Sequence, residues 1–406
     1  MAVNNANRGR RVVQISLGYS SWYWVQRPDD PDRARFGQRN GLLIRGGTKK
    51  QCVGVDFTDR TAVQWVEQAS DAQLQHVRTA KVGARETIDQ LNRLKKLEAL
   101  ECSGIKRSEL KWICDTDFPL RCLHLSWVED IADISPVGNC PHLLRLTITD
   151  CEQLQDIGAV QNLSELRRFE MINCDGVWEI DPVAGAKKLR RLLLRNCENI
   201  HALNPVAMLP NLRQLDLSRC TKVKELASLR KVKTLVSLDL SNCPRIHNVA
   251  PLQELKNLRI LRLFGCNGIR DVRPVFQLPQ LRKISLPNKI NNEELLSLCI
   301  AFDDLVQMDL RNCETVTDIS PVKRLVDIEE LSLAGCRNIG DITPLQALEK
   351  LKHLDLAYCI KITDLSPLQD LTNLKNLYLD GCSGVDRDDV AELQEALPDC
   401  TIHFNG

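Results

Sequence analysis

The chain has 406 residues, of which 54 are Lys or Arg and 53 are Asp or Glu, for a formal net charge of +1. That balance excludes a global basic field for nucleic acid and an acidic tail, and a hydrophobic content of 43% excludes a disordered chain. No apolar run approaches the roughly 18 residues of a membrane span.

In chain order, the first stretch, MAVNNANRGRRVVQISLGYSSW, has no secretory hydrophobic region and carries Arg8, Arg10 and Arg11 ahead of its first acid, Asp29. A cytoplasmic protein is expected, with mitochondrial or nuclear targeting as the alternatives. Val12–Leu17 reads as a strand. Trp22, Tyr23 and Trp24 concentrate a scarce aromatic supply. They either pack over the first turn of the following fold or serve as a second partner-binding element. PDDPDRARFGQRNG is a polar loop. Residues 1–51 are thus an N-terminal extension. Residues 52–73 read as a cap, with Cys52, Val55 and Phe57 followed by a helical TAVQWVEQA.

From Leu74 onward the chain keeps a beat. Leucine (once isoleucine) recurs at Leu74, Leu97, Leu120, Leu143, Leu166, Leu189, Leu212, Leu235, Leu258, Leu281, Leu305, Ile328, Leu351, Leu374 and Leu397, every 23 residues except for one step of 24 after Leu281. Apolar residues follow three and five positions later, and eight positions later comes a cysteine: Cys151, Cys174, Cys197, Cys220, Cys243, Cys266, Cys313, Cys336, Cys359 and Cys382. Alternation at L-x-L places two leucines on one side of a short strand and x on the other. One unit cannot bury its leucines alone, so stacked units must share a continuous core. The expected fold is therefore α/β: a solenoid of about 15 repeats over residues 74–396, with a parallel concave sheet and a capping strand at 397–406. Leu215, Leu217 and Cys220 should be buried and Asp216 exposed.

The second half of many units reads DISPV (from Asp133 and Asp318), DITPL (Asp341) or DLSPL (Asp364). Asp or Ser before Pro is helix-start chemistry, and the space left predicts short 3₁₀ turns. Lys106–Asp115, Asn291–Phe302 and Asp386–Leu397 have helical periodicity without Pro and predict fuller α-helices.

The frame L-x-x-L-x-L-x-x-C-x-x-I resembles the leucine-rich repeat family, in its cysteine-containing type, through CETVTD at Cys313 and CIKITD at Cys359. The convex ISPL segments are similar to those of internalins, and the blend is most like trypanosomatid leucine-rich repeat proteins. The resemblance implies that the ladder cysteines satisfy loop backbone and fill core. A free thiol behaves as a small buried hydrophobe with a weak donor. In-register cysteines point the same way, so bridging them would shear the stack, and free thiols are expected.

No phosphate loop, HExxH or GxSxG motif is present in the sequence, and no C-x-x-C occurs among its 17 cysteines. His201, His247 and His124 read as surface residues. The reading is accordingly of a protein that is not an enzyme, with no metal or other cofactor. What the array offers is a surface. Arg145, Arg168, Arg191 and Arg195 form a concave stripe beside Glu170, Asp216 and Arg262, with apolar Ile172, Leu193 and Phe264 among them. Arginine and aromatic residues are common hot spots. The expected role is a scaffold or adaptor that binds a protein partner on the concave face, with no small-molecule substrate and no nucleic acid. The alternative is the substrate-recognition subunit of a ubiquitin ligase.

Overall fold

The structure is a computed structural model that describes residues 11–17, 20–26, 36–39, 42–45, 51–58, 60–83, 88–128 and 130–405, with side chains described from Gly54 onward. The chain divides into two compact units, Met1–Leu193 and Leu194–Gly406.

The first unit opens with an antiparallel pair, β1 (Arg11–Leu17) and β2 (Ser20–Gln26), in a sheet of its own. The predicted strand at Val12–Leu17 is thus present but is not a rung of the ladder. Trp22, Tyr23 and Trp24 fall within β2, and their side chains lie outside the described set. An antiparallel pair, β3 (Phe36–Arg39) and β4 (Leu42–Arg45), joins β5 (Gln51–Asp56). Helices α1 (Arg60–Gln68) and α2 (Asp71–Leu74) follow. The parallel ladder then runs through β6 (Thr79–Val82), β7 (Ala99–Ser103), β8 (Cys122–Ser126), β9 (Arg145–Thr149) and β10 (Arg168–Ile172), with helix α3 (Arg107–Asp115) after β7. Strand β11 (Arg191–Arg195) carries the boundary between the units.

The second unit is a ladder of three-residue strands: β12 (Gln214–Asp216), β13 (Ser237–Asp239), β14 (Ile260–Arg262), β15 (Lys283–Ser285), β16 (Gln307–Asp309), β17 (Glu330–Ser332), β18 (His353–Asp355), β19 (Asn376–Tyr378) and β20 (Thr401–His403). All are parallel, each paired with the next. Its helices are α4 (Asn292–Ala301) and α5 (Arg387–Ala396).

The register carries the predicted beat. Gln214 faces Ser237 and Ser237 faces Ile260, steps of 23, and Lys283 faces Gln307, a step of 24. The extra residue sits beside α4, whose cap is reciprocal: Asn291 Oδ1 accepts from the Glu294 amide at 3.0 Å and Glu294 Oε2 from the Asn291 amide at 3.1 Å. The terminal rungs depart from the constant beat. Thr79 faces Ala99, a step of 20, because Leu74 closes α2 and Val77 takes the opening position instead. At the other end Asn376 faces Thr401, a step of 25, so Ile402 rather than Cys400 lies opposite Leu377. Helix α5 accounts for the difference, since a ten-residue helix uses more chain than a five-residue 3₁₀ turn.

The inward positions form the core. Leu215, Leu238, Leu261, Leu354 and Leu377 stack within the second unit with at most 0% exposure, as do Leu217, Leu240, Leu263, Leu310, Leu333, Leu356 and Leu379. On the opposite side, proline-led 3₁₀ turns such as Ser320–Arg324 and Thr343–Ala347 occupy the convex segments, as the DISPV and DITPL motifs predict. The Asp starts each turn by accepting the amide two residues on: Asp318 from Ser320 at 2.7 Å, Asp341 from Thr343 and Asp364 from Ser366, both at 2.9 Å. The three predicted α-helices are α3, α4 and α5. No described helix is long and apolar enough to cross a membrane.

Candidate functional site

The cysteine ladder is built from backbone geometry. The residue before the cysteine sits in the left-handed region: Asn173, Asn196, Arg219, Asn242, Asn312 and Tyr358 have φ of 56°, 50°, 62°, 59°, 60° and 61°, and Gly265, Gly335 and Gly381 of 72°, 73° and 72°. Asn and Gly tolerate this conformation best, and their recurrence before Cys is a sequence signal of the turn. The turn aims each thiol at a carbonyl of the preceding rung. Cys220 donates to Leu194 O at 2.9 Å, Cys243 to Leu217 O at 3.1 Å, Cys266 to Leu240 O at 2.8 Å and Cys382 to Leu356 O at 3.0 Å. These carbonyls lie where the strand ladder ends, so the thiol satisfies a buried acceptor. Burial pushes the Cys243, Cys266 and Cys336 thiols up to about 12, which keeps them protonated donors. The ladder is packing and hydrogen bonding. Among the described residues no group of three or more His, Cys, Asp or Glu is arranged to hold a metal.

The x row of the strands is the candidate surface, and the structure revises parts of it. In the first unit, Arg168 Nη2 donates to Glu170 Oε2 at 2.8 Å, and Arg145 Nη2 reaches the same oxygen at 3.5 Å. Glu170 is buried and the Arg145 side chain retains only 11% exposure. These residues form a mostly enclosed ion cluster, so the arginine stripe is partly neutralised within its own sheet. Ile172 is half-buried and Arg191 exposed. Leu193, expected as an exposed apolar contact, is 1% exposed. It occupies the middle of its strand, two residues after Arg191.

In the second unit the corresponding correction is Asp216, which is 5% exposed rather than open. Its Oδ1 accepts from the Ser218 amide at 3.0 Å and the Ser218 hydroxyl at 2.7 Å, and Oδ2 accepts from Arg195 Nε. The carboxylate turns back onto its own chain because an Asp side chain reaches the amide two residues on. The same bond recurs at Asp239 to Ser241 at 2.9 Å, and at Asp309 to Arg311 and Asp355 to Ala357, both at 3.1 Å. An aspartate at the x of the L-x-L strand, with Met in place of the first Leu at Asp309, is the signal for it.

Further along the second unit the face stays open. Two adjoining depressions share Gln307, Asp309 and Arg311. One is lined by Ile260, Arg262, Phe264 and Lys283, the other by Glu330, His353, Asp355 and Tyr378. The Arg311 guanidinium lies 5.3 Å from the Phe264 ring centroid and its Nε donates to both Asp309 oxygens at 3.0 Å. Arg262 approaches Asp239 at 3.7 Å with its side chain 43% exposed. Tyr378 stacks on His403 with centroids 4.5 Å apart and planes 6° apart. Arg262 and Phe264 are thus brought together, while Arg311 and His353 were not singled out by sequence. His353 holds the frame position of Arg191, two residues after the opening leucine, and Arg311 that of Arg195, six residues after it.

Of the histidines, His201 and His247 are exposed, as expected. His124 is half-buried, with Nε2 3.3 Å from Thr149 Oγ1, and burial, followed by the nearby Arg145 charge, lowers its pKa to about 4.

The family model for Leucine Rich repeats (2 copies) matches residues 187–231 and 349–394. No curated protein sequence matches the chain. Among solved structures, the Leptospira interrogans LRR protein LIC12759 is similar at a TM-score of 0.57 and 17% identity, over 86% of this chain and 99% of that one. The Toll–Spätzle complex of Drosophila is similar at 0.55 and 13% identity, over 97% of this chain and 53% of that one. The TLR13–ssRNA13 complex is similar at 0.50 and 17% identity, over 84% of this chain and 63% of that one. At these identities the likeness is one of fold. The 23-residue frame and the parallel ladder it builds are those of a leucine-rich repeat solenoid, and the family model matches two stretches of that ladder.

Proposed function

We propose that this protein is a non-enzymatic interaction module, a scaffold or adaptor, that receives a protein partner on the open strand face of its second unit. The observation that carries the reading is the groove over β14–β19, where Phe264 stands beside Arg311 and Arg262. An aromatic ring stiffened by a guanidinium offers rigid apolar area with a charged rim, the make-up of an interface anchor. The groove arginines are already partnered by Asp309 and Asp239. A partner segment with an apolar residue and an acidic neighbour fits, since it can fill the Phe264 depression and exchange into those pairs. Solved structures of this fold include a complex with Spätzle, which supports the class of function and not the identity of the partner.

The test is capture of partners by the full chain carrying Phe264→Asp with Arg311→Glu, compared with wild type. Both side chains face away from the core, so the melting temperature should stay close to wild type while the principal partner is lost. Arg191→Glu serves as the comparison in the first unit. Unchanged recovery with the groove variant, or loss with Arg191→Glu alone, would overturn the assignment.

A further inference from the structure

One rung of the outward row departs from its neighbours. At Asp216, Asp239, Asp309 and Asp355 the x residue is a carboxylate that accepts the amide two residues on. On β15 the x residue is Ser285, and two residues on stands Pro287, which has no amide hydrogen to give. This rung therefore lacks both the carboxylate and the donor that would hold one. Ser285 is 6% exposed, and among the described residues nothing bonds its Oγ. Ser332, two rungs further on, donates to Asp355 Oδ2 at 3.2 Å. A buried hydroxyl without a partner is costly, so Ser285 is suited to an acceptor from outside the chain. Its short side chain helps to floor the depression beside Phe264, about 220 Å³ in volume. That is below the roughly 300–1,000 Å³ of small-molecule pockets, and it suits a side chain better than a free ligand. Arg262 lies directly opposite Ser285 on β14, and Lys283 two residues before it on β15. Both cations are loosely held. Arg262 stands 3.7 Å from Asp239 and Lys283 4.0 Å from Glu330, beyond the length of a charge-assisted hydrogen bond. Arg311, by contrast, donates to both Asp309 oxygens at 3.0 Å.

We propose, resting on the reading of the groove as the partner site, that this depression is a carboxylate site that takes an Asp or Glu side chain of an extended partner segment. The Ser285 hydroxyl donates to the incoming carboxylate, and Arg262 and Lys283 neutralise it from the neighbouring and the same strand. The partner's carboxylate thus stands where the chain's own aspartate stands on the other rungs. An apolar residue of the same segment lies against Phe264 or Ile260, which flank Arg262 two residues to either side. A carboxylate is favoured over a phosphate, because Asp239 and Glu330 beside the two cations repel a second negative charge.

The test is an array of random, terminally blocked peptides, phosphoserine members included, probed with the full chain. Wild type should retain peptides enriched in Asp or Glu. Ser285→Asp supplies the carboxylate from within, at a frame position where other rungs already carry aspartate. Its melting temperature should stay close to wild type while retention of the acidic peptides falls at least about tenfold, the worth of one hydrogen bond to a charged group. Ser285→Ala removes only the hydroxyl and should weaken the same peptides; it decides the matter if Ser285→Asp fails to fold. Undiminished retention of acidic peptides by the folded variants, or a preference for phosphoserine over Asp and Glu, overturns the carboxylate site. Enrichment of neutral peptides that Phe264→Asp with Arg311→Glu releases also overturns it, and leaves the groove as the partner site. If no retained peptide is sensitive to Phe264→Asp with Arg311→Glu, both readings fall.

Discussion

Replacing Asp216 with Ala tests the most consequential revision of the surface. Read as an open concave residue, Asp216 would cost no more than about 0.5 kcal/mol on removal. The structure makes it a structural acceptor, taking the Ser218 amide at 3.0 Å and the Ser218 hydroxyl at 2.7 Å from a position 5% exposed. Hydrogen bonds to a charged group contribute roughly 1.5–3 kcal/mol net. The Ser218 groups are only part-buried and regain some water when the carboxylate goes. Arg195, with its side chain 41% exposed, adds at most about 1 kcal/mol after screening. The expected cost of Asp216→Ala is therefore about 2 kcal/mol. Asp216→Asn keeps an acceptor and loses the ion pair, for about 1 kcal/mol. The neighbouring inward residue sets the scale, since Leu217→Ala should cost roughly 2–5 kcal/mol. Urea denaturation of the full-length variants reads all three as shifts in midpoint. The double variant Asp216→Ala with Ser218→Ala should cost less than the sum of its parts, because both remove one bond. An Asp216→Ala protein within about 0.5 kcal/mol of wild type would refute the argument and return Asp216 to the surface.

Gly335→Ala should destabilise by at least about 1–2 kcal/mol, since φ is 73°. The new Cβ would also crowd Asn312 Oδ1, so Asn312→Gly in the same chain should recover part of the loss, read by the same denaturation. His124 has a folded pKa of about 4, below the ordinary 6.5. The unfolded chain thus binds more protons between those values, and stability should fall by on the order of 2–3 kcal/mol as pH drops through that window. His124→Gln should flatten the fall in midpoint against pH. Thiol titration with a disulfide reagent at pH 8 should find the ladder cysteines silent in the native protein and reactive on unfolding, because burial holds Cys243, Cys266 and Cys336 at about 12. Fast native labelling of those three would contradict the hydrogen-bonded ladder.

The inward half of this protein was legible in the sequence alone. A strand has period two and a repeat has period 23, so residues such as Leu215 and Leu217 must share one side of every rung and be covered by the next. The convex segments were legible for a similarly local reason: Asp and Pro start a turn through atoms within three residues. The end rungs were not, because Leu74, in phase with the beat, falls within α2 and α5 lengthens the last step. Nor was the outward face. Whether Glu170 or Asp216 is open depends on where a carboxylate finds its donors. Periodicity determines which side of the sheet a residue faces; what it meets there is set jointly by side chains two residues along its own chain and by those of the neighbouring rung, and the second is a property of the folded stack.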